Sequence, residues 1–170
     1  MQESSALDDK PTAYRKDPRP RREKSLLARA LGYLARREHS RVELARKLAP
    51  YAEGAEGADR LSALLDELEA RKLLSEARFV EVLARSRGER FGTARVRQEM
   101  KAHGIADDLQ RGALESLRAT EFARARALWL RRFGEPAPDR AGRAKQMRFL
   151  AGRGFSTEVI RKVVGGETDD

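Results

Sequence analysis

Few side chains in this sequence could carry out bond chemistry, and those few are poorly placed for it. There is no cysteine, which excludes disulfides, zinc–thiolate sites and thiol nucleophiles. The two histidines, His39 and His103, each stand alone among charged residues. Carboxylates are numerous, and Asp107-Asp108 or Asp66-Glu67 could be pictured as metal ligands. Adjacent residues on a helix point about 100° apart, however, and both pairs suit a helix start or a solvated face better. No Walker loop, His–carboxylate cluster or serine nucleophile elbow occurs. The expectation is a protein that is not an enzyme and that needs no metal or cofactor.

What the sequence does supply is positive charge. Its 36 Lys and Arg against 27 Asp and Glu leave a net +9 and a pI near 10.3, which points to polyanionic partners such as nucleic acid. Arg outnumbers Lys by 28 to 8, a bias that GC-rich coding would also produce, so the total decides less than the distribution. Residues 25–74 carry a net +1, residues 75–118 a net +2 and residues 119–166 a net +7. A coding bias would spread the excess, so the last stretch is the expected polyanion face. The candidate contacts are Arg95, Arg97 and Lys101 in the middle stretch and Arg143, Lys145, Arg148 and Arg153 in the last. Each competes with a plainer reading as a solvated helix face. Arg153 has a further one, because an Arg just before a helix-ending Gly often bonds helix carbonyls.

These residues must be carried by helices, because the helix period dominates from Ser25 onward and no period-2 run is sustained. Leu27, Leu31 and Leu34 predict one face of a first helix. Ser40 to Glu43 reads as a capping box, with the Ser hydroxyl taking an orphan N–H while Glu43 reaches back, and opens a second helix with Leu44 and Leu48. Leu61, Leu64, Leu65 and Leu68 mark a third, and Phe79, Val82 and Leu83 a fourth. Gly92 breaks the chain, and Thr93 is the expected cap of a fifth helix holding Val96 and Met100. Leu109, Ala113 and Leu117 predict a sixth, and Phe122, Ala125, Trp129 and Phe133 a seventh. Met147, Leu150 and Ala151 mark an eighth, and Val159, Ile160 and Val163 a ninth. Residues 1–24, basic and rich in Pro, have no apolar periodicity and are expected to form a flexible arm.

An internal repeat organises these helices. Met100-Lys101-Ala102-His103-Gly104-Ile105 parallels Leu150-Ala151-Gly152-Arg153-Gly154-Phe155, offset by fifty positions. In both, a Gly can take the left-handed position that ends a helix, and the apolar residue after it seals the joint. The helix from Ser40 to Leu48 serves as a first member, with Leu44 and Leu48 standing where Val96 and Met100 stand. The expected architecture is all-α: three tandem three-helix, helix-turn-helix-like repeats at 25–74, 75–118 and 119–166, with a short acidic tail at 167–170. Units of this size bury little alone, so neighbours are expected to share a core and form an elongated, curved array.

Four segments, in order, resemble the RecX family of recombination regulators. They are the run from Arg37 to Leu48, the run Leu73-Leu74-Ser75-Glu76-Ala77-Arg78-Phe79, Gly92 with the run from Arg95 to Ile105, and the run from Arg148 to Ser156. Together they cover about residues 25 to 165. The departures are Ser75-Glu76, where the family usually has an Asp pair, and Met100 in place of a usual Leu. A helix N-cap tolerates Ser as well as Asp, so the fold should survive. The resemblance implies tandem three-helix repeats lying in the groove of the RecA–single-stranded DNA filament. It further implies that the protein limits filament extension or promotes disassembly, damping strand exchange and RecA ATPase. RecA and single-stranded DNA are thus the implied partners, the DNA bound weakly and without sequence preference, with double-stranded DNA a further one.

Two other readings compete. A stand-alone DNA-binding protein would insert a recognition helix into the major groove and show sequence preference, but Gln98 and Gln146 are the only amides there able to read base edges. An enzyme is disfavoured by the absences above. No run approaches the ~20 apolar residues of a membrane span, and the first thirty residues show no secretory signal, so the cytoplasm is the expected address. Nothing demands a dimer, and a monomer is expected.

Overall fold

A computed structural model describes residues 24–166; the expected arm, Lys24 apart, and the acidic tail at 167–170 lie outside the described residues. Within them the chain is all helical: α1 (Leu26–Leu34), α2 (Arg41–Leu48), a 3-10 turn (Ala49–Tyr51), α3 (Gly57–Ala70), α4 (Glu76–Gly88), α5 (Thr93–Ala102), α6 (Asp107–Ala119), α7 (Glu121–Phe133), α8 (Arg140–Ala151) and α9 (Thr157–Gly165). The starts follow from short polar caps. The hydroxyls of Ser25, Ser40, Ser75 and Ser156 and the carboxylate of Asp139 each accept a backbone N–H in the first turn of the helix they precede, removing one of its orphan donors. Ser75 therefore caps α4 as expected for a residue standing in place of an acidic one.

The helices pack in threes, and each triplet closes on its own apolar cluster. Leu44, Leu48, Leu61, Leu65, Leu68 and Leu74 surround the fully buried Ala30 in α1–α3. Phe79, Val80, Leu83, Val96, Met100, Ile105, Leu114 and Leu117 fill α4–α6. Trp129, Leu150, Phe155, Ile160, Val163 and Val164 pack around Ala125 in α7–α9. The clusters have no member in common, so the expected shared core is corrected: the units join through polar groups and backbone.

Several helix faces also differ from the sequence reading. On α1 the inward stripe is Leu26, Ala30 and Leu34, while Leu27 and Leu31 are exposed. Two stripes ending on Leu34 were available, and the one containing a small residue lets the neighbouring helices come close. On α4 Val80 turns inward and Val82 outward. On α6 Gln110 and Leu114 are buried and Leu109 exposed, and on α8 Gln146 takes the buried place beside Leu150 while Met147 is exposed. The capping box is half formed: Ser40 Oγ accepts the N–H of Glu43 at 3.1 Å, but the Glu43 carboxylate turns to Arg37 and Lys47.

The joint between the second and third units rests on close backbone approach. The N–H of Gly92 donates to the carbonyl of Arg153 at 2.9 Å. A methyl group on Gly92 would lie 2.1 Å from the carbonyl oxygen of Gly154, and one on Gly154 would lie 2.7 Å from Cβ of Arg95. Gly154 also has φ +79, a conformation that costs a side-chain-bearing residue roughly 1–2 kcal/mol before any clash. Thr93 is not the cap of α5. Its side chain makes no capping bond; instead its backbone N–H donates to Glu121 Oε1 at 2.8 Å, from the first residue of α7, buried at 6 % exposure. At the other joint Glu76, the first residue of α4, meets Arg41 and Glu69 of the first unit; burial and then Glu69 raise its pKa, against the opposing pull of Arg41.

His39 is buried at 2 % exposure in the first unit, its Nδ1 2.9 Å from the Arg37 carbonyl. Burial holds its pKa below the ordinary histidine value; the bond to that carbonyl and Glu43 work the other way, while Arg37 and Lys47 reinforce the shift.

Two predictions follow from this packing. Gly154→Ala should lower stability by about 2–3 kcal/mol, from left-handed strain plus the clash with Arg95. Gly112→Ala, in the open interior of α6 with nothing within 4 Å, should raise it by roughly 0.5–1 kcal/mol; urea denaturation followed by circular dichroism reads both. Second, unfolding frees His39 to take a proton near its ordinary value, which the folded chain resists. The unfolded state then binds more protons just below about pH 6.5, so stability should fall as pH drops through that window. The slope of melting temperature against pH between 7.5 and 5.5 should flatten in His39→Asn.

Candidate nucleic-acid interface

A basic side chain is available to a partner only if the fold has not already used it, and the described ion pairs show which are used. Arg41 forks between Asp66 and Glu69 at 2.7 and 2.6 Å. Arg71 pairs with Glu67, Arg78 with Glu38, Arg87 with Glu99 and Lys162 with Glu158. Asp66 and Glu67 thus serve separate arginines, and among the described residues no group of three or more His, Cys, Asp or Glu gathers as metal ligands would.

Two arginines of the third unit hold the fold together. Arg124 on α7 reaches back into the second unit, donating to the carbonyls of Gly88, Phe91 and Leu117, the last two at 2.8 and 2.7 Å. Burial lowers its pKa, against the opposing pull of Glu121. Arg153 donates to the carbonyl of Phe149 at 3.0 Å and lies 3.7 Å above its ring, the carbonyl-bonding role expected of an Arg before a helix-ending Gly.

The other candidates stand on the surface. Arg95 is exposed on α5, its guanidinium 4.9 Å from the Phe91 ring. Arg143, Lys145 and Arg148 are exposed on α8, with Arg143 also donating to the carbonyl of Ala137 at 2.8 Å. Arg97 and Lys101 come together with Arg111 and Arg118 of α6 along a groove of about 260 Å³ that also meets Asp107, Gln110 and Leu114. Sequence reading missed Arg111 and Arg118. Their seven-residue spacing was a usable signal, because it puts them on one side of a helix, two turns apart.

Gln146 is not available to read bases. Its amide is buried, donating to the carbonyl of Glu135 at 2.9 Å and accepting the N–H of Ala137, and so ties down the Pro-containing turn between α7 and α8.

Comparison with known proteins agrees with this architecture. The profile of the second three-helix domain of RecX matches residues 75–114, and that of the third matches residues 119–164. The "Regulatory protein RecX" of Ralstonia nicotianae is 52% identical over 147 residues, covering 86% of this chain and 91% of that one. That of Leptothrix cholodnii is 55% identical over 141 residues, covering 82% and 87%. The chain belongs to the RecX family. Its fold is that of solved RecX structures: the crystal structure from Lactobacillus salivarius aligns with a TM-score of 0.65 at 20% identity, covering 83% of this chain and 93% of that one. A second, titled "Crystal structure of regulatory protein RecX", aligns with a TM-score of 0.69 at 22% identity over 84% and 72%. Among the described residues of this RecX-family chain no helix is long and apolar enough to cross a membrane.

Arg124→Ala should cost about 3 kcal/mol, since it leaves three carbonyls at the joint without their charged donor. Arg126→Ala, on the exposed side of the same helix, should stay within about 0.5 kcal/mol. Thermal melts of the two variants check the contrast.

Proposed function

We propose that this RecX-family chain restrains the RecA recombinase by lying along the RecA–single-stranded DNA filament, limiting its extension, ATPase and strand exchange. The observation that carries this is the match to regulatory RecX proteins at 52–55% identity over more than four-fifths of both chains. The fold supports it physically. Three small units at 25–74, 75–118 and 119–166, following one another along the chain, can each make a weak contact on successive parts of a repeating filament. Every additional contact then forms at high effective concentration. Exposed Arg95, Lys101, Arg143, Lys145 and Arg148, with half-buried Arg97, are the proposed contacts; with phosphates they would be salt-dependent and indifferent to base sequence. Arg153 joins them only through whatever its guanidinium offers beyond the Phe149 ring. A stand-alone reader of duplex sequence is the weaker reading, because Gln146 is spent inside the fold. A monomer working in the cytoplasm completes the proposal.

RecA ATPase on circular single-stranded DNA coated in advance should fall progressively as this protein is added at substoichiometric ratios. Charge reversal at Arg97 and Lys101, or at Lys145 and Arg148, should weaken the inhibition about tenfold or more, as expected for losing two charge-assisted contacts. Inhibition that begins only when the protein alone saturates the DNA would instead indicate competition for phosphates and reject the proposal.

A further inference from the structure

Four cations converge on the α5–α6 groove. Arg97 and Lys101 come from one helix, Arg111 and Arg118 from the other, and one carboxylate, Asp107, faces them. None of the four takes part in a described ion pair, whereas Arg37, Arg41, Arg71, Arg78 and Arg87 each do. Partners were within helical reach: Glu115 stands four residues from Arg111 and three from Arg118, the spacing at which such pairs form. The inner wall includes Leu114, 7 % exposed, so charges there sit against a low-dielectric surface that strengthens their field. Like charges crowded in this way repel, and an anion entering the groove relieves the repulsion.

We infer that the α5–α6 groove is a phosphate-binding cleft that holds the backbone of single-stranded nucleic acid, with Arg111 and Arg118 as its principal contacts. The inference rests on the filament reading above and names the place where this chain touches the strand. Three of the four cations are Arg, whose planar fork matches two phosphate oxygens at once. The cleft is concave and of about 260 Å³, room for one stretch of sugar–phosphate backbone; a duplex, with its phosphates on a wide cylinder, would reach only the rim. The site lies in the middle unit, whose net charge is only +2, rather than in the third unit that carries most of the excess. Convergence of side chains, not the sum of charge, selects it.

The test is fluorescence anisotropy of a labelled oligo-dT strand with the whole protein and no RecA, at several salt concentrations. Arg111→Gln/Arg118→Gln should weaken binding about tenfold and make the slope of log K against log salt shallower by about 1.4, at roughly 0.7 per single-strand phosphate contact. Arg85→Gln/Arg90→Gln removes the same charge from exposed positions of the same unit outside the groove and should leave the slope close to wild type. Equal losses in the two variants would show that only net charge matters and would overturn the cleft, as would wild-type binding by the cleft variant. A larger loss on a hairpin duplex than on oligo-dT would reject the single-strand assignment. If circular dichroism shows the Gln variant unfolded, Arg97→Gln/Lys101→Gln, which changes the opposite wall, carries the same expectation. Because RecA is absent, loss of the cleft and loss of the filament function are read separately: oligo-dT binding tests the first, RecA ATPase the second.

Discussion

The arrangement of the last two units depends on a buried carboxylate reaching across a boundary. Helix α5 begins at Gly92-Thr93 with no side chain of its own to occupy its first amides. The first residue of α7 supplies the acceptor: Glu121, almost wholly buried, takes the Thr93 N–H. The carboxylate is not left unpaired there, because its oxygen takes that amide at the N-terminal end of α5. Arg124, one turn later, bonds the carbonyls that end α4 and α6. Opposite ends of helices in one unit are thus satisfied by an acid and a base of the next, and register between the units is fixed by hydrogen-bond direction rather than by apolar fit.

This explains how three separate cores can remain in fixed order. An apolar interface tolerates sliding, whereas an N–H donor and a carbonyl acceptor meet only in one geometry. Close approach makes the geometry possible: Gly92 and Gly154 bring two backbones together where a side chain would meet the opposing chain. The first joint uses a more open version of the same arrangement. There Gly104 meets the side chain of Val42 rather than backbone, Arg78 pairs with Glu38 across the boundary, and Ser40 Oγ lies 3.5 Å from His103 Nδ1. Burial and the neighbouring Glu69 raise the pKa of Glu76, opposed by the Arg41 amide.

Much of the fold was legible in the sequence because helix period and caps are local. Leu44, Leu48, Leu65, Leu68, Val96, Met100, Trp129 and Leu150 are buried as the spacing implied, and the left-handed Gly104 and Gly154 lie where the repeat put them. Where local signals were ambiguous the reading slipped. Leu26 and Leu27 begin two stripes that each suit a helix and share Leu34, and only contact with α2 and α3 chooses between them. The joints were invisible for a different reason. Glu121 and Arg124 look like ordinary residues of an exposed helix start, and all their partners at the joint but Leu117 lie some thirty residues away in sequence. The cations of α5 were legible as a pair, but the groove they form with Arg111 and Arg118 requires knowing how two helices cross.

The two joints respond differently to the solvent. Bonds between buried backbone groups are shielded from mobile ions, while an ion pair such as Arg78–Glu38, with its guanidinium nearly half exposed, is screened over a Debye length of about 8 Å at physiological ionic strength. Rising salt therefore acts on this molecule in two places at once. It competes for the surface cations, and it loosens the hold of the first unit on the other two while leaving the second joint nearly untouched. The stiffness of the chain is in this sense uneven by construction, firm towards its C-terminal units and adjustable, by nothing more specific than the ions around it, at its first boundary.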